Sequence, residues 1–350
     1  MNHRFLMSLG AAALVLALTF VLLAPSAAAG QVVKSGAKAL SVAALPAKPW
    51  TVSKTPDGQP DLQGYWTNNT YTPLERPNGV TKELFTKEEF LEVAKKAAER
   101  EEEQTTPGTI ADVHYDFTQF GLDKSQTEIT PNLRTSMIVD PPNGKIPPVT
   151  PEGQKRAADR AAERRKQGAQ YDQVQNIPIG SRCVYMNAGP PILPGGYNST
   201  YQIVQGPGYV MILTEMLHEV RVIPLDGRPH PPQSVRSWLG DSRGRWEGNT
   251  LVVETTNFND KTAFRGASEN MKVVERFTRT GDETIRYEFT VEDPATWATP
   301  WKAELPFVQI NGPIFEHACN EGNYGVRNTL AGVRAEEKRA AEAAAKNGSK

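Results

Sequence analysis

The run Met271-Lys272-Val273-Val274-Glu275-Arg276-Phe277-Thr278-Arg279, followed after Gly281-Asp282 by Thr284-Ile285-Arg286-Tyr287-Glu288-Phe289-Thr290-Val291-Glu292, decides the fold. Polar and apolar side chains alternate in both runs, and a period of two is that of a β-strand. The glycine–acid pair between them is a turn signal, so together they predict an antiparallel hairpin. In the second run Ile285, Tyr287, Phe289 and Val291 share an inner face, while Thr284, Arg286, Glu288, Thr290 and Glu292 face water. In the first run Met271, Val273 and Phe277 face inward, and Glu275 falls among them. A buried carboxylate costs several kcal/mol unless it is paired or protonated. Glu275 therefore predicts either an internal salt bridge, to an arginine such as Arg221 or Arg236, or an acid–base group with a raised pKa. Arg276 alternates to the outside.

The same pattern extends on both sides. Residues 242–247 and 250–258 flank Gly248-Asn249 as a second hairpin, and strands are expected over 301–308 and 314–319. Upstream, a strand over 201–205 meets Gly206-Pro207-Gly208 and continues into one long strand over 209–223. Both faces of that long strand are apolar, which requires cover on two sides or a bulge near Met216-Leu217 that exchanges the faces. Consecutive antiparallel strands with tight turns argue for a mainly β fold, a barrel or a sandwich. Alternating βα units are absent, which disfavours Rossmann and TIM architectures.

The N-terminal half reads differently. Met1 to Gly30 has a basic start (His3, Arg4), an apolar run and the small residues Ala27-Ala28-Ala29, the three parts of a secretory signal. The apolar run is long enough to span a bilayer, so an uncleaved anchor is the rival reading. Two charged helices are expected, over 86–104 with a threonine cap and over 150–167 with Pro151 in its first turn. A loop with Pro131, Pro141, Pro142, Pro147 and Pro148 lies between them. The organisation expected is a signal peptide over 1–29, a linker over 30–59, a helical and proline-rich wrapping region over 60–180, an antiparallel β domain over 181–333, and a C-terminal helix and tail over 334–350. That last helix is read over 335–346.

Composition narrows the partners. A net charge of −1 with interspersed signs gives no reason to expect nucleic acid. No membrane contact is expected once the signal is removed, and the oligomeric state is left open. The working protein is placed in a periplasm or outside the cell. There, the two cysteines, Cys183 and Cys319, most simply form one disulfide, the alternative being two buried thiols.

Candidate chemistry gathers in three places. Glu275 forms one, with Tyr287, Phe289, Phe277 and Arg221 as inward ligand-binding residues. Glu215 and His218, on the long strand, form a second. The third is Glu316-His317-Ala318-Cys319-Asn320-Glu321-Gly322-Asn323-Tyr324, where a disulfide would bring Arg182 beside His317, Glu321 and Tyr324 as a rim. His218 and His317 lead among the histidines because both fall in expected strands. No H-x-x-x-H, H-E-x-x-H or close cysteine pair offers a metal site. The G-x-S-x-G, G-x-x-x-x-G-K-[ST] and S-x-x-K motifs are missing as well, so no cofactor is expected.

Gly64-Tyr65-Trp66 ahead of a series of hairpins resembles the G-x-W motif that opens lipocalin-like barrels. That resemblance implies a tryptophan plugging one end of a barrel and an interior that binds a small apolar molecule. Over about residues 60–336, segments such as Arg245-Trp246-Glu247-Gly248-Asn249-Thr250-Leu251-Val252-Val253-Glu254-Thr255-Thr256-Asn257-Phe258 and His317-Ala318-Cys319-Asn320-Glu321-Gly322-Asn323-Tyr324 resemble a large family of secreted β-rich bacterial proteins. This second resemblance implies export and a shared β fold, and no reaction. Three functions follow: an exported barrel that binds a small apolar or aromatic molecule; a cofactor-free lyase, isomerase or hydratase working by general acid–base catalysis on a small substrate; and an envelope interaction protein.

Overall fold

The computed structural model describes residues 50–101, 130–186, 189–195, 198–261 and 264–348. The expected signal peptide and most of the linker lie outside these residues, as do positions 102–104 of the first helix. The alternating runs form the strands they predict. Gly248-Asn249 joins β6 (Asp241–Glu247) to β7 (Thr250–Thr256), and Asp282-Glu283 joins β8 (Lys272–Gly281) to β9 (Thr284–Glu292). Next comes β10 (Trp301–Gln309). Upstream lie β1 (Gly64–Thr67), β2 (Ile138–Asp140), β3 (Thr200–Gly206), β4 (Tyr209–Thr214) and β5 (Val220–Pro224).

These strands make one antiparallel sheet in the order β5-β4-β3-β1-β10-β9-β8-β7-β6, and it curls into a nearly closed barrel. β1 lies between β3 and β10, with Trp66 opposite both Tyr201 and Gln309. β2 extends the same edge of β10, pairing at Lys302 and Ala303. The wrapping region thus contributes two strands to the sheet. Inward-facing Trp66, Phe277, Tyr287, Phe289, Trp301 and Phe307 are fully buried and fill the core.

The long strand expected over 209–223 is instead two strands. The chain reverses over Glu215–Glu219, where Thr214 N bonds Glu219 O at 2.8 Å and Leu217 and His218 take left-handed backbone, φ 55° and 45°. Inward positions are Val210 and Ile212 on β4, then Arg221 and Ile223 on β5. The turn exchanges the faces, which is why one sequence looked apolar on both. The strand expected over 314–319 is also absent, because that segment is irregular and finds no ladder partner.

The three α-helices among the described residues open on side-chain caps. In α1 (Lys87–Glu101) Thr86 Oγ1 accepts from Glu89 N and the Glu89 carboxylate accepts from Thr86 N at 2.7 Å, a reciprocal capping box. In α2 (Pro151–Lys166) Thr150 Oγ1 accepts from Gly153 N at 3.0 Å. The last, α3 (Tyr324–Gly348), begins earlier than the expected residue 335, since Asn323 Oδ1 accepts from Val326 N and starts the first turn. Among the described residues, no helix is long and apolar enough to cross a membrane.

Trp66 is wholly buried. Its Nε1 donates to Leu62 O at 3.0 Å, and the Arg279 guanidinium lies 5.5 Å from the ring centroid. Arg279 Nη1 also donates to Asp61 O at 2.9 Å, so the cation lies between backbone and indole. Between β5 and β6 no ladder forms, and side chains close this seam. A Cβ at Gly244 would lie 2.6 Å from Leu225 Cδ2 and 2.7 Å from Ile223 Cγ2, so only glycine lets these side chains lie against β6. Gly244→Val should force them apart and cost about 1–3 kcal/mol of stability by overpacking. Urea denaturation measures this, and an unchanged midpoint would contradict the seam.

Candidate functional site

The expected pairing of Glu275 is present, with Arg221 as its partner. Arg221 Nη1 donates to Oε2 at 2.6 Å and Nη2 to Oε1 at 3.1 Å. The Tyr287 hydroxyl donates to Oε1 at 2.8 Å. Glu275 is fully buried and Arg221 nearly so, and a two-pronged guanidinium is the partner that best offsets such burial. Arg276 points outward, to Glu247. Arg236 bonds backbone carbonyls at Phe258 and Glu269 and pairs with the Glu269 side chain. Aromatic rings wall the trio. Tyr287 packs at 4.8 Å from Phe277, 5.2 Å from Phe307 and 5.7 Å from Phe289. Burial, then the neighbouring Glu275 charge, holds the Tyr287 phenol well above its usual pKa, so it remains a donor.

A separate piece of chain reaches this trio from the other end of the barrel. Gly189, Pro190, Pro191 and Ile192 are buried, and Ile192 N donates to the Tyr287 hydroxyl at 2.8 Å. Just upstream, Tyr185 stacks on Trp238 with centroids 6.2 Å apart. Burial, then the Glu219 charge, pushes the Tyr185 phenol up to about 12. A disulfide between Cys183 and Cys319 fastens the start of this segment to the chain after β10. Sequence reading placed Tyr185 beside the disulfide but did not mark Ile192, because a Gly-Pro-Pro run signals a surface loop, and only the barrel around it shows it to be core.

The remaining expected residues gather at this same end. Glu215 is buried and accepts from Asn198 Nδ2 at 2.6 Å and from Phe315 N at 3.1 Å. Burial raises its pKa, as it does that of Glu219. Leu217 N donates to His317 Nδ1 at 3.3 Å. Neither histidine lies in a strand: His218 is exposed on the β4–β5 turn, and His317 belongs to the irregular segment that the turn holds. Of the expected rim, Arg182 is half-buried beside the disulfide, Glu321 is exposed and Tyr324, opening α3, is 66% exposed. The structure therefore brings together Glu275, Arg221, Tyr287, Phe277 and Phe289 inside the barrel, and Glu215 with His317 at its mouth.

The chain matches no protein-family model and no curated protein. Its chemistry must therefore be read from the geometry. Among the described residues, no group of three His, Cys, Asp or Glu could hold a metal ion. Both Glu275 oxygens are already engaged, Oε1 by two donors and Oε2 by one, so as arranged this carboxylate anchors the trio. The mouth pair of Glu215 and His317 binds backbone amides and so holds a segment in place.

Two outcomes test these assignments. Removing one member of a buried ion pair strands the other charge, whereas removing both does not. Arg221→Met should cost about 3–5 kcal/mol in chemical denaturation, and Arg221→Met/Glu275→Leu should regain most of that loss. A double variant no better than the single one would show that the pair is not an isolated unit.

The second concerns His317, which accepts the Leu217 amide only when neutral. Burial, then the nearby His218 charge, lowers its pKa from 6.5. A histidine with a lowered folded pKa adds stability above its unfolded value, and that stability is lost as pH falls through that value toward the folded one. Glu215 and Glu219, with raised pKa values, act with the opposite sign as pH rises above 4.5. A local readout separates the two effects. Hydrogen-exchange protection of the Leu217 amide, corrected for intrinsic rate, should fall between about pH 7.5 and about pH 5.5. Equal protection at both would contradict the assignment.

Proposed function

We propose that this chain is an exported barrel that binds a small apolar or aromatic molecule, with the ligand entering the interior beside Tyr287 where the Gly189–Leu193 segment now sits. The observation that carries this reading is the single backbone bond, Ile192 N to the Tyr287 hydroxyl, by which that segment is seated on the polar trio. An apolar interior with a few convergent polar groups is the usual make-up of a small-molecule site. Beyond that bond the segment is held by a long one, from the Tyr185 hydroxyl to Gly189 O at 3.5 Å, and by apolar contact, which a ligand offering the same could replace.

Other features support the reading. Arg279 lies over the buried Trp66 ring, which fits the tryptophan-plugged end that the resemblance to lipocalin-like barrels implies. A disulfide fits an oxidising compartment, in line with the signal-like N-terminus and with the resemblance to secreted bacterial proteins. The engaged state of Glu275 favours binding over the lyase, isomerase or hydratase reading, which needs a carboxyl free to move a proton.

Thermal shift and native mass spectrometry of the mature protein against small aromatic, terpenoid and sugar-derived compounds provide the test. A compound should raise the melting temperature and return unchanged, and Tyr287→Phe should weaken its binding. Return of an altered compound would establish an enzyme. Silence across the panel would overturn binding and favour an envelope interaction protein.

A further inference from the structure

Asn68 follows β1 at the mouth end and continues the alternation that turns Trp66 inward. Its side chain is wholly buried, yet among the described residues neither its carbonyl oxygen nor its amino group completes a hydrogen bond, and the amino group only approaches the Tyr201 hydroxyl. Because both are unmatched, exchanging the two ends of the amide would not satisfy them. Buried polar groups are nearly always paired, and an orphan costs stability, so it requires an explanation.

The surroundings narrow what the missing partner is. The Tyr201 hydroxyl lies beside Asn68 and Ser199, and burial keeps the phenol protonated, so it stays a donor. The Tyr201 ring stacks on Phe307 with centroids 5.2 Å apart, and Phe307 lies at the same distance from Tyr287. Asn68 and Tyr201 thus stand across the aromatic wall from the satisfied Arg221–Glu275–Tyr287 trio. Glu215 is the ionisable neighbour that acts on Tyr201, and its negative charge disfavours an anion here. A charged group of either sign would also have to be desolvated beside Asn68, whose amide is neutral. An uncharged group presenting an adjacent N–H and C=O satisfies both ends of a side-chain amide at once, with two parallel bonds.

We infer that Asn68, with Tyr201, forms the specificity subsite of the barrel and takes the amide edge of a ligand bearing a primary carboxamide, lactam or imide on an apolar or aromatic body. This rests on the binding reading above and names its ligand class. Asn68 donates through Nδ2 to the ligand carbonyl and accepts through Oδ1 from the ligand N–H, while the Tyr201 hydroxyl supplies a second donor to that carbonyl. The ligand body lies along Phe307, in the space opened when Gly189–Leu193 moves aside. Sites built to hydrogen-bond a polar group reject analogues that lack it far more strongly than apolar pockets distinguish methylenes.

The experiment compares benzamide, N,N-dimethylbenzamide, benzoate and toluene as probes, by calorimetry and native mass spectrometry, on the full mature chain and on Asn68→Leu. Wild type should bind benzamide at least about tenfold more tightly than the other three. Asn68→Leu should lose that preference, bind toluene no more weakly than wild type does, and melt a few degrees higher without ligand, since it removes an orphaned polar group. Equal affinity of wild type for benzamide and toluene removes the subsite and leaves the binding barrel standing. Failure of all four to bind overturns both. A lower melting temperature for Asn68→Leu, or a crystal structure with a water on Asn68 that stays when benzamide is bound, shows that a structural partner already serves the amide, and overturns the inference.

Discussion

The buried contact between Arg221 and Glu275 is the constraint on which the rest of the barrel depends. Barrels ordinarily close by a hydrogen-bonded ladder between their first and last strands. Here the strands at the two ends of the sheet, β5 and β6, form none, so closure falls to side chains. Arg221 projects from β5 across the interior to Glu275 on β8, the third strand beyond the seam, while Ile223 and Leu225 lie over Gly244. Such a pair adds little stability relative to apolar residues of the same volume. What it contributes is position, because a two-pronged guanidinium accepts few arrangements of a carboxylate.

That choice has a cost which the structure meets locally. A charged pair in an aromatic core needs further hydrogen bonds, and Tyr287 supplies one. The tyrosine oxygen then has a lone pair to satisfy, and the inserted Gly189–Leu193 segment provides Ile192 N. Polar satisfaction therefore runs as a chain from the seam to the segment, and the disulfide fixes where that segment starts. The interior is apolar by area but organised by this short polar chain, which reaches neither the Asn68 amide nor the Trp301 indole N–H.

Much of the fold was legible because alternation is a strong local signal. The residues from Thr284 to Glu292 form one strand with the inner face expected, and Glu275 announced its need for a partner by sitting among Val273 and Phe277. An exchange of faces near Met216-Leu217 was legible as one alternative, but the full reversal of the chain at Glu215–Glu219 was not. Turns are recognised by glycine, proline and asparagine, whereas here Leu217 and His218 adopt left-handed backbone. His317 was assigned to a strand on alternation alone, and alternation cannot say whether a neighbouring edge exists to pair with. The depth of Pro190 and Pro191 was equally hidden, because prolines signal irregular backbone and carry no information on burial. Asn68 gives no signal in sequence at all, since its orphaned state exists only once everything around it has been paired.

The placement of β1 has a consequence for how the molecule is made. The strand synthesised first slots between β3 and β10, so its second partner is the last strand to leave the ribosome. Pairing at such sequence separation is slow, because the closing entropy must be spent before the contact returns anything. Until residues 301–309 are in place, the growing sheet keeps unpaired edges, which are templates for other chains. A chain stopped short of Gln309 is therefore no smaller barrel but an open, adhesive sheet. A protein built this way profits from folding only once it is complete, with its first strand waiting for its last.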